Sequence, residues 1–215
     1  MCAVIGLSSE NIIDHTIIEN LLNQSMIRGK HATGIAWIEN KKLNYEIVKY
    51  SANKFKLPNI KTKTLIAHCR YSTSDLSWNQ PIIDTNIALV HNGVVTQADP
   101  SKWHSIYQLD FKTKCDSEIL LRHWQNDIHP LHVDGSMSCI LLENNAIPKI
   151  HFFRNEQRPL YYAKHNNHFY IASTKDILKR CEIKNIKKTD CCMNYTIQNK
   201  ILNKNQVRKP YEDLQ

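Results

Sequence analysis

A cysteine at position 2, ahead of the apolar run AVIGL, is the first residue of this chain whose chemistry depends on its place. If Met1 is removed, Cys2 carries a thiol and a free α-amino group on one residue. Such an amino group has an unperturbed pKa of about 7.7–8 and can accept the thiol proton without a separate histidine. If Met1 stays, Cys2 is a small hydrophobic residue near a chain end. The other motifs decide between these interpretations.

Four further motifs follow Cys2 along the chain. Each is a weak signal alone, but their order is hard to obtain by chance. They are Arg28-Gly29 with Gly34-Ile35-Ala36, AHCRYST at 67–73, His91-Asn92-Gly93, and Cys115-Asp116-Ser117-Glu118.

Together with Cys2, these motifs resemble the glutaminase domain of the class II glutamine amidotransferases, which are N-terminal nucleophile hydrolases. The resemblance runs from Cys2 to about Leu178. It implies an α+β fold, a four-layer αββα sandwich with two antiparallel sheets between helices, and neither a metal nor an organic cofactor. Further matching segments are NQPI at 79–82, Gly135 before a strand, RNEQRPL at 154–160 and IAST at 171–174.

The resemblance makes Cys2 the nucleophile toward the side-chain amide of L-glutamine. Attack by the thiolate gives an oxyanion and then a γ-glutamyl thioester, ammonia leaves, and water releases glutamate. Asn92 and Gly93 are implied as catalytic residues, since the Asn side-chain amide and the Gly backbone N–H would donate to the oxyanion. Because Asn-Gly is also a strong hairpin signal, a turn is the alternative for this pair.

Three residues are implied to bind the substrate. Arg70 would hold the α-carboxylate through its planar guanidinium, and Thr73 would add a hydroxyl contact. Asp116 would hold the α-ammonium. Since Asp116 precedes a predicted helix, a simple N-cap is its alternative.

We expect three residues, Arg28, Gly29 and His91, to position the site residues without contacting the substrate. Arg28 would order the segment near Cys2, and its alternative is a cation that interacts with the dipole at a helix C-terminus. Five residues differ from those usual in the family and bear on substrate affinity and loop behaviour; they are Ala3, Ala67, Ser74, Asp75 and Cys115.

Two helices are predicted to cover the strands. Asp14 would cap the first, which ends near Arg28-Gly29, where glycine would adopt the left-handed cap conformation. The second begins near Ser117, and TKDILKRC forms a third, shorter helix. The residues expected to face inward are Ile17, Ile18, Leu21, Leu22 and Ser25 on the first helix, and Ile119, Leu120, Trp124 and Ile128 on the second.

Strand-like runs fill the rest of the chain, in a pattern typical of helices layered on antiparallel sheets rather than of alternating βαβ units. The predicted strands are CAVIGL, GIAWIE, NYEIVKY, TLIAHCRYS, NIALVHNGVV, MSCILLE, KIHFF, PLYYAK and HFYIAS. The sequence contains no internal repeat and no linker-like segment. We therefore expect one glutaminase-like domain over 1–215, with a core at 2–178 and a basic C-terminal extension at 179–215.

Composition narrows the class of protein. The chain has 215 residues, 42% hydrophobic and 22% charged, with a formal net charge of +8. Its seven cysteines are odd in number and form no C-x-x-C pair, so reduced thiols are expected and no zinc site is indicated. The apolar runs are too short for a membrane span or a signal peptide, which favours a cytoplasmic protein without membrane contact.

The expected partners follow from the resemblance and the charge. L-Glutamine is the expected substrate, and the ammonia would pass to a synthetase or transferase on a separate chain, because 37 residues after Leu178 are too few for an acceptor domain. A stand-alone γ-glutamyl amide hydrolase and a catalytically silent binding module are the alternatives. The tail at 175–215 carries ten Lys or Arg against five Asp or Glu, but it lacks the interleaving of basic and aromatic residues expected of a nucleic-acid groove, so nucleic acid is not favoured.

Overall fold

Two antiparallel sheets form the centre of the molecule in a computed structural model that describes residues 1–72 and 76–209. The seven strands of sheet 1 are β1 (Ala3–Ser9), β2 (Ala32–Glu39), β3 (Lys42–Val48), β4 (Thr64–Arg70), β9 (Tyr161–His165), β10 (His168–Ala172) and β11 (Lys187–Lys188). The six strands of sheet 2 are β5 (Ile82–Asp84), β6 (Ile87–Val94), β7 (Ser136–Glu143), β8 (Lys149–Arg154), β12 (Met193–Gln198) and β13 (Ile201–Gln206).

Each sheet joins strands that are distant in sequence. The order is β11-β9-β10-β1-β4-β2-β3 in sheet 1 and β13-β12-β8-β7-β6-β5 in sheet 2. In sheet 1 the register pairs Ala3 with Cys69 and Ala32 with Arg70, so the start of β1 lies beside the end of β4. In sheet 2 it pairs Gly93 with Met137, so the end of β6 lies beside the start of β7.

Side-chain alternation divides the core into three layers of packing. Successive strand residues point to opposite faces, so Val4 and Ile66 pack between the sheets while Ile5 and Leu65 pack under helices. Helices cover both outer faces over the described ranges, and they are α1 (His15–Ser25), α2 (Trp103–Tyr107), α3 (Ser117–Gln125) and α4 (Lys175–Arg180). The αββα sandwich expected from the sequence is confirmed.

The helix starts follow local chemistry. The Asp14 carboxylate accepts from the Thr16 backbone N–H at 2.8 Å, which confirms the predicted N-cap of α1. The predicted C-terminal cap is wrong: α1 ends at Ser25, a 3-10 turn follows over Met26–Arg28, and Gly29 is extended at φ −160°. Glycine is required at position 29 because the backbone there packs closely on β4. A Cβ at this position would lie 2.3 Å from the Cys69 carbonyl oxygen.

All nine predicted strands are present with small shifts at their ends. The sequence analysis missed β5, β11, β12, β13 and α2, and it placed Ile128 in the core, whereas Ile128 lies beyond α3 and is 45% exposed. The expected extension at 179–215 contributes β11 to the edge of sheet 1 and β12 and β13 to the edge of sheet 2. Within the described part of the chain, no helix combines the length and hydropathy needed to cross a membrane.

Candidate functional site

A cavity of about 200 Å³ lies at the end of the sandwich where β1 starts and β4 and β6 end. Cys2, Arg70, Gly93 and Asp116, four of the residues singled out from the sequence, line it together. His91 lines it as well. The antiparallel pairing of β1 with β4 explains why Cys2 and Arg70 lie close together, because it places residue 2 next to residue 70.

Cys2 lies just before β1 and is partly exposed. Its Sγ lies 3.7 Å from the backbone carbonyl oxygen of Tyr71, and the Nε of Arg28 donates to the Cys2 carbonyl oxygen at 3.0 Å. The Arg28 side chain therefore turns back to the segment around Cys2, and the alternative interpretation as a helix-dipole cation does not describe its contact. Gly29 lies directly behind β4, against the backbone of Cys69 and Arg70.

Arg70 is held by the segment that follows it. One Nη of its guanidinium donates to the Trp78 carbonyl oxygen and, at 2.8 Å, to Oδ1 of Asn79. These contacts fix the guanidinium at the wall of the cavity. Thr73, the third expected substrate-binding residue, lies outside the described residues.

The Asp116 carboxylate faces the cavity instead of capping α3. Its Oδ2 accepts from the Val95 backbone N–H at 2.7 Å, and its side chain makes no capping hydrogen bond to the helix. The N-cap alternative for Asp116 is therefore wrong. Its contact with Val95, just past the end of β6, connects the start of α3 to the strand that carries Asn92 and Gly93.

Asn92 and Gly93 lie inside β6, so the hairpin alternative is wrong. Gly93 is required by close packing, since a Cβ there would lie 1.8 Å from the Ser136 carbonyl oxygen. Asn92 is only 3% exposed, and its Nδ2 has no hydrogen-bond partner among the described residues. A buried amide donor without a partner costs stability. Asn92 is not among the residues that line the cavity, although its neighbours His91 and Gly93 are.

A buried polar network below the cavity includes a residue to which the sequence analysis gave no role. The Gln80 side chain accepts from the His91 backbone N–H at 2.6 Å and donates to the His91 carbonyl oxygen at 3.1 Å. It also donates to the Ser117 hydroxyl at 3.1 Å, and His91 Nδ1 lies 2.9 Å from the same hydroxyl. The position of Gln80 in the NQPI motif was the only sequence signal for it.

His68 and His91 are buried and neutral. Burial, with Arg70 as a smaller electrostatic cause, lowers the pKa of His68 to about 3, and burial also lowers the pKa of His91. His91 is held by Ser117 and by the Ser136 carbonyl oxygen, 3.1 Å from Nε2, which suits a supporting role. The Nε2 of His68 is buried without a described partner.

A second cavity of about 450 Å³ adjoins the first and shares four lining residues with it: Arg70, Trp78, Cys115 and Asp116. Trp103 and Lys114 line its other side. The guanidinium and the carboxylate that would hold an amino acid thus lie at the junction between the two cavities.

Comparisons with known proteins agree with this geometry. Residues 68–180, just over half of the chain, match the family model described as "Glutamine amidotransferase domain". The chain belongs to the class II glutamine amidotransferase family. A curated relative from Wigglesworthia glossinidia brevipalpis, glutamine–fructose-6-phosphate aminotransferase (isomerizing), is 30% identical over 141 residues, which cover 59% of this chain and 23% of that protein.

Two solved structures show the same fold as this amidotransferase domain. Glutamine phosphoribosylpyrophosphate amidotransferase from B. subtilis superposes with a TM-score of 0.82 at 18% identity, over 96% of this chain and 49% of that one. A glutamine aminotransferase class-II domain protein from Silicibacter pomeroyi superposes with a TM-score of 0.62 at 12% identity, over 97% and 100% of the two chains. The present chain thus spans about a quarter of the curated relative and about half of the B. subtilis enzyme.

One group of possible metal ligands is found in the described part of this family member, away from both cavities. Glu156, Cys191 and Cys192 bring their ligand atoms within 4.8 Å of one another. Arg208 already pairs with Glu156 at 3.1 Å, and burial raises the pKa of Cys192 to about 12. Both groups would have to leave these states before they could bind a metal ion, so we assign no metal centre here.

Proposed function

We propose that this chain hydrolyses L-glutamine to glutamate and ammonia, with Cys2 as the nucleophile after removal of Met1. The observation that carries the proposal is the shared cavity of Cys2, Arg70, Gly93 and Asp116. These residues match the three parts of glutamine: a thiol for the amide carbon, a guanidinium for the α-carboxylate and a carboxylate for the α-ammonium. Family membership supports the same assignment.

The proposed reaction uses groups of this chain alone. The free α-amino group of Cys2 takes the thiol proton, and Sγ attacks the side-chain carbonyl carbon of glutamine. The Asn92 amide and the Gly93 N–H donate to the oxyanion that forms. The α-ammonium then returns the proton to the departing nitrogen, which leaves as ammonia. Water, activated by the same amino group, hydrolyses the γ-glutamyl thioester to glutamate and restores the thiol.

Arg28, Gly29 and His91 act as positioning residues in this proposal. Arg28 holds the Cys2 carbonyl oxygen, and Gly29 allows the turn that carries Arg28 to pack on β4. His91 connects β6 to Ser117 at the start of α3. Thr73 remains proposed as an additional hydroxyl contact to the substrate.

The ammonia is proposed to serve an acceptor enzyme on another chain, in the cytoplasm. The name of the curated relative, glutamine–fructose-6-phosphate aminotransferase, describes such a transfer of nitrogen in that protein. The described residues of the present chain are taken up by one αββα sandwich, so the proposed acceptor site lies outside these residues.

A second candidate function is hydrolysis of γ-glutamyl amides other than glutamine, without a partner. The specific observation that favours it is a pair of arginines, Arg28 and Arg158, beside the N-terminal segment. Both candidates share the γ-glutamyl half of the substrate and the Cys2 chemistry, and they differ in the amine that leaves.

The test is the intact mass of the purified protein before and after treatment with a diazo-ketone analogue of glutamine. We expect loss of Met1 and a single adduct that maps to Cys2. Cys115 is the internal control, because it lines the same cavity while burial raises the pKa of its thiol. Cys2→Ala should take no adduct and lose glutamine hydrolysis while it keeps its thermal transition.

A retained Met1, or an adduct on Cys115 instead of Cys2, would contradict the proposed mechanism. Full glutaminase activity in Cys2→Ala would do so as well. A processed protein that binds no analogue and hydrolyses no amide would instead support a silent binding module.

A further inference from the structure

The position of Met1 marks the space next to the leaving amine. In the proposed reaction, the α-amino nitrogen of Cys2 hands a proton to the departing nitrogen, so the two must come within hydrogen-bond reach. Met1 is bonded to that same α-amino nitrogen. Its side chain therefore occupies space that adjoins the leaving amine once Met1 has been removed. Met1 is 65% exposed, so this space is open to solvent and has room for an amine larger than ammonia.

Two guanidinium groups border this space. An Nη of Arg28 lies 3.6 Å from the Met1 Sδ, and an Nη of Arg158 lies 3.7 Å from the same sulfur. The remaining contacts orient both groups: Arg28 donates through Nε to the Cys2 carbonyl oxygen, and Arg158 donates through Nε and Nη to the Ser136 hydroxyl at 3.1 and 3.0 Å. Over residues 1–72 and 76–209, neither guanidinium forms a salt bridge with a carboxylate.

These two arginines lie close enough to repel each other. Burial lowers the pKa of Arg28, a negative charge on Cys2 raises it, and the like charge of Arg158 lowers it. Two cations held side by side, one of them half-buried, are unfavourable unless an anion joins them. A carboxylate is the group that guanidinium forks bind best, through two parallel charge-assisted hydrogen bonds.

We propose that Arg28 and Arg158 bind an acidic group on the leaving amine, so that γ-glutamyl amides of carboxylate-bearing amines, such as γ-glutamyl amino acids, are preferred substrates. This inference rests on the proposed Cys2 reaction and develops the second candidate function, in which the leaving amine is larger than ammonia. The Sγ–carbon bond forms first, as the thiolate adds to the γ-carbonyl carbon. The bond between that carbon and the amine nitrogen then breaks, as the amine takes its proton from the Cys2 α-ammonium. Water then cleaves the thioester, so each turnover converts one γ-glutamyl amide and one water into glutamate and a free amine.

The test compares two amides that differ in one charge: γ-glutamylglycine and γ-glutamylethylamide, with glutamine as reference. For the processed wild-type protein we expect kcat/KM to be about 10–100-fold higher for γ-glutamylglycine, the range expected for charge-assisted hydrogen bonds. The ratio should fall toward one at high salt, because ions screen partly exposed charges. In Arg158→Gln the ratio should fall to a few-fold, and Arg158→Lys should keep part of it. Arg180→Gln is the matched control, since Arg180 lies on α4 and pairs with Asp176.

Each outcome of this comparison supports or overturns the proposed binding of an acidic leaving amine. A wild-type ratio near one, with glutamine still hydrolysed, overturns this proposal and leaves the Cys2 reaction standing. A processed protein that hydrolyses neither glutamine nor either amide overturns the proposed function and this inference with it. If Arg158→Gln does not fold, the wild-type ratio and its salt dependence still give the answer. If folded Arg158→Gln keeps the wild-type ratio of the two kcat/KM values, Arg158 does not bind the leaving amine and the proposal is overturned.

Discussion

At the scale of single residues, position separates Cys2 from the other cysteines. Burial raises the pKa of Cys69 to about 12 and that of Cys139 well above its ordinary value, and both thiols lie in the apolar core. Such thiols stay protonated at neutral pH and are poor nucleophiles. Cys2 alone lies next to a chain end that can supply its own base, and this feature was visible in the sequence.

Asn92 gives the first prediction at this scale. Asn92→Ala should lower kcat for glutamine by about 10²–10³-fold, because it removes one oxyanion donor from the proposed site. The free energy of unfolding should change by less than about 1 kcal/mol, because the Nδ2 that is lost has no described partner in the folded chain. Stopped-time glutaminase assays and urea unfolding measure the two quantities.

Asn194 provides the control for this prediction, as a buried asparagine outside the proposed site. It is also buried, but it lies on β12 and donates to the Thr196 hydroxyl at 3.3 Å, away from the cavity. Asn194→Ala should keep kcat. A normal kcat for glutamine in the Asn92→Ala variant would show that the oxyanion is stabilised by other donors.

At the scale of elements, the segment 76–81 connects the two halves of the site. Asn79 holds Arg70 on β4, while Gln80 holds the backbone of His91 on β6 and the hydroxyl of Ser117 on α3. The arginine proposed to bind the substrate and the proposed oxyanion donors are therefore fixed by neighbouring residues of one loop. A change in this loop should affect both.

Gln80→Leu tests this connection. The substitution leaves the His91 N–H and the His91 carbonyl without their partner, and each buried orphan group costs about 1–3 kcal/mol of unfolding free energy. The Ser117 hydroxyl loses one contact and keeps the one with His91 Nδ1. We expect kcat to fall more than KM rises, because Asn92 and Gly93, as the proposed oxyanion donors, would act on the transition state only. Steady-state kinetics at a temperature where the variant is folded separate the two parameters.

Gln206→Ala is the control, as Gln206 is an exposed residue on β13 and should change stability by no more than about 0.5 kcal/mol. If Gln80→Leu lost stability with kcat intact, the network would support only the fold.

The sequence predicted elements better than it predicted what their end residues do. Hydrophobic alternation located nine strands, since it depends on neighbours in sequence alone. The alternatives that local signals offered at Asn92-Gly93 and Asp116, a turn and a helix cap, are wrong, because strand pairing with β7 and the contact with Val95 override them. Gln80 and Arg158 lie in the matching segments NQPI and RNEQRPL, but their contacts could not be derived from those segments, because their partners lie on other elements.

At the scale of the whole molecule, the site depends on strands that follow the family match. The match ends at residue 180, yet β12 pairs with β8 and β13 with β12 beyond it. Strand β8 pairs in turn with β7, whose start supports Gly93 through Ser136. The expected division into a core at 2–178 and an extension stays a prediction, and these strands provide a way to test it.

Tyr195 on β12 carries that test. It is 1% exposed, its ring lies 5.0 Å from that of Phe152 between the sheets, and its hydroxyl donates to Asp190 at 2.8 Å. Tyr195→Ala should lower the free energy of unfolding by about 3–5 kcal/mol, the usual cost of emptying an aromatic core position. Tyr45→Ala, at a 57% exposed tyrosine on β3, should lower it by no more than about 0.5 kcal/mol. In Tyr195→Ala, the loss of folded structure and the loss of glutaminase activity should occur at the same urea concentration, lower than in the wild type. Both should shift together because sheet 2 carries Asn92 and Gly93. A loss below about 1 kcal/mol would instead mean that residues 179–215 are peripheral to the fold, and that 2–178 can hold the site alone.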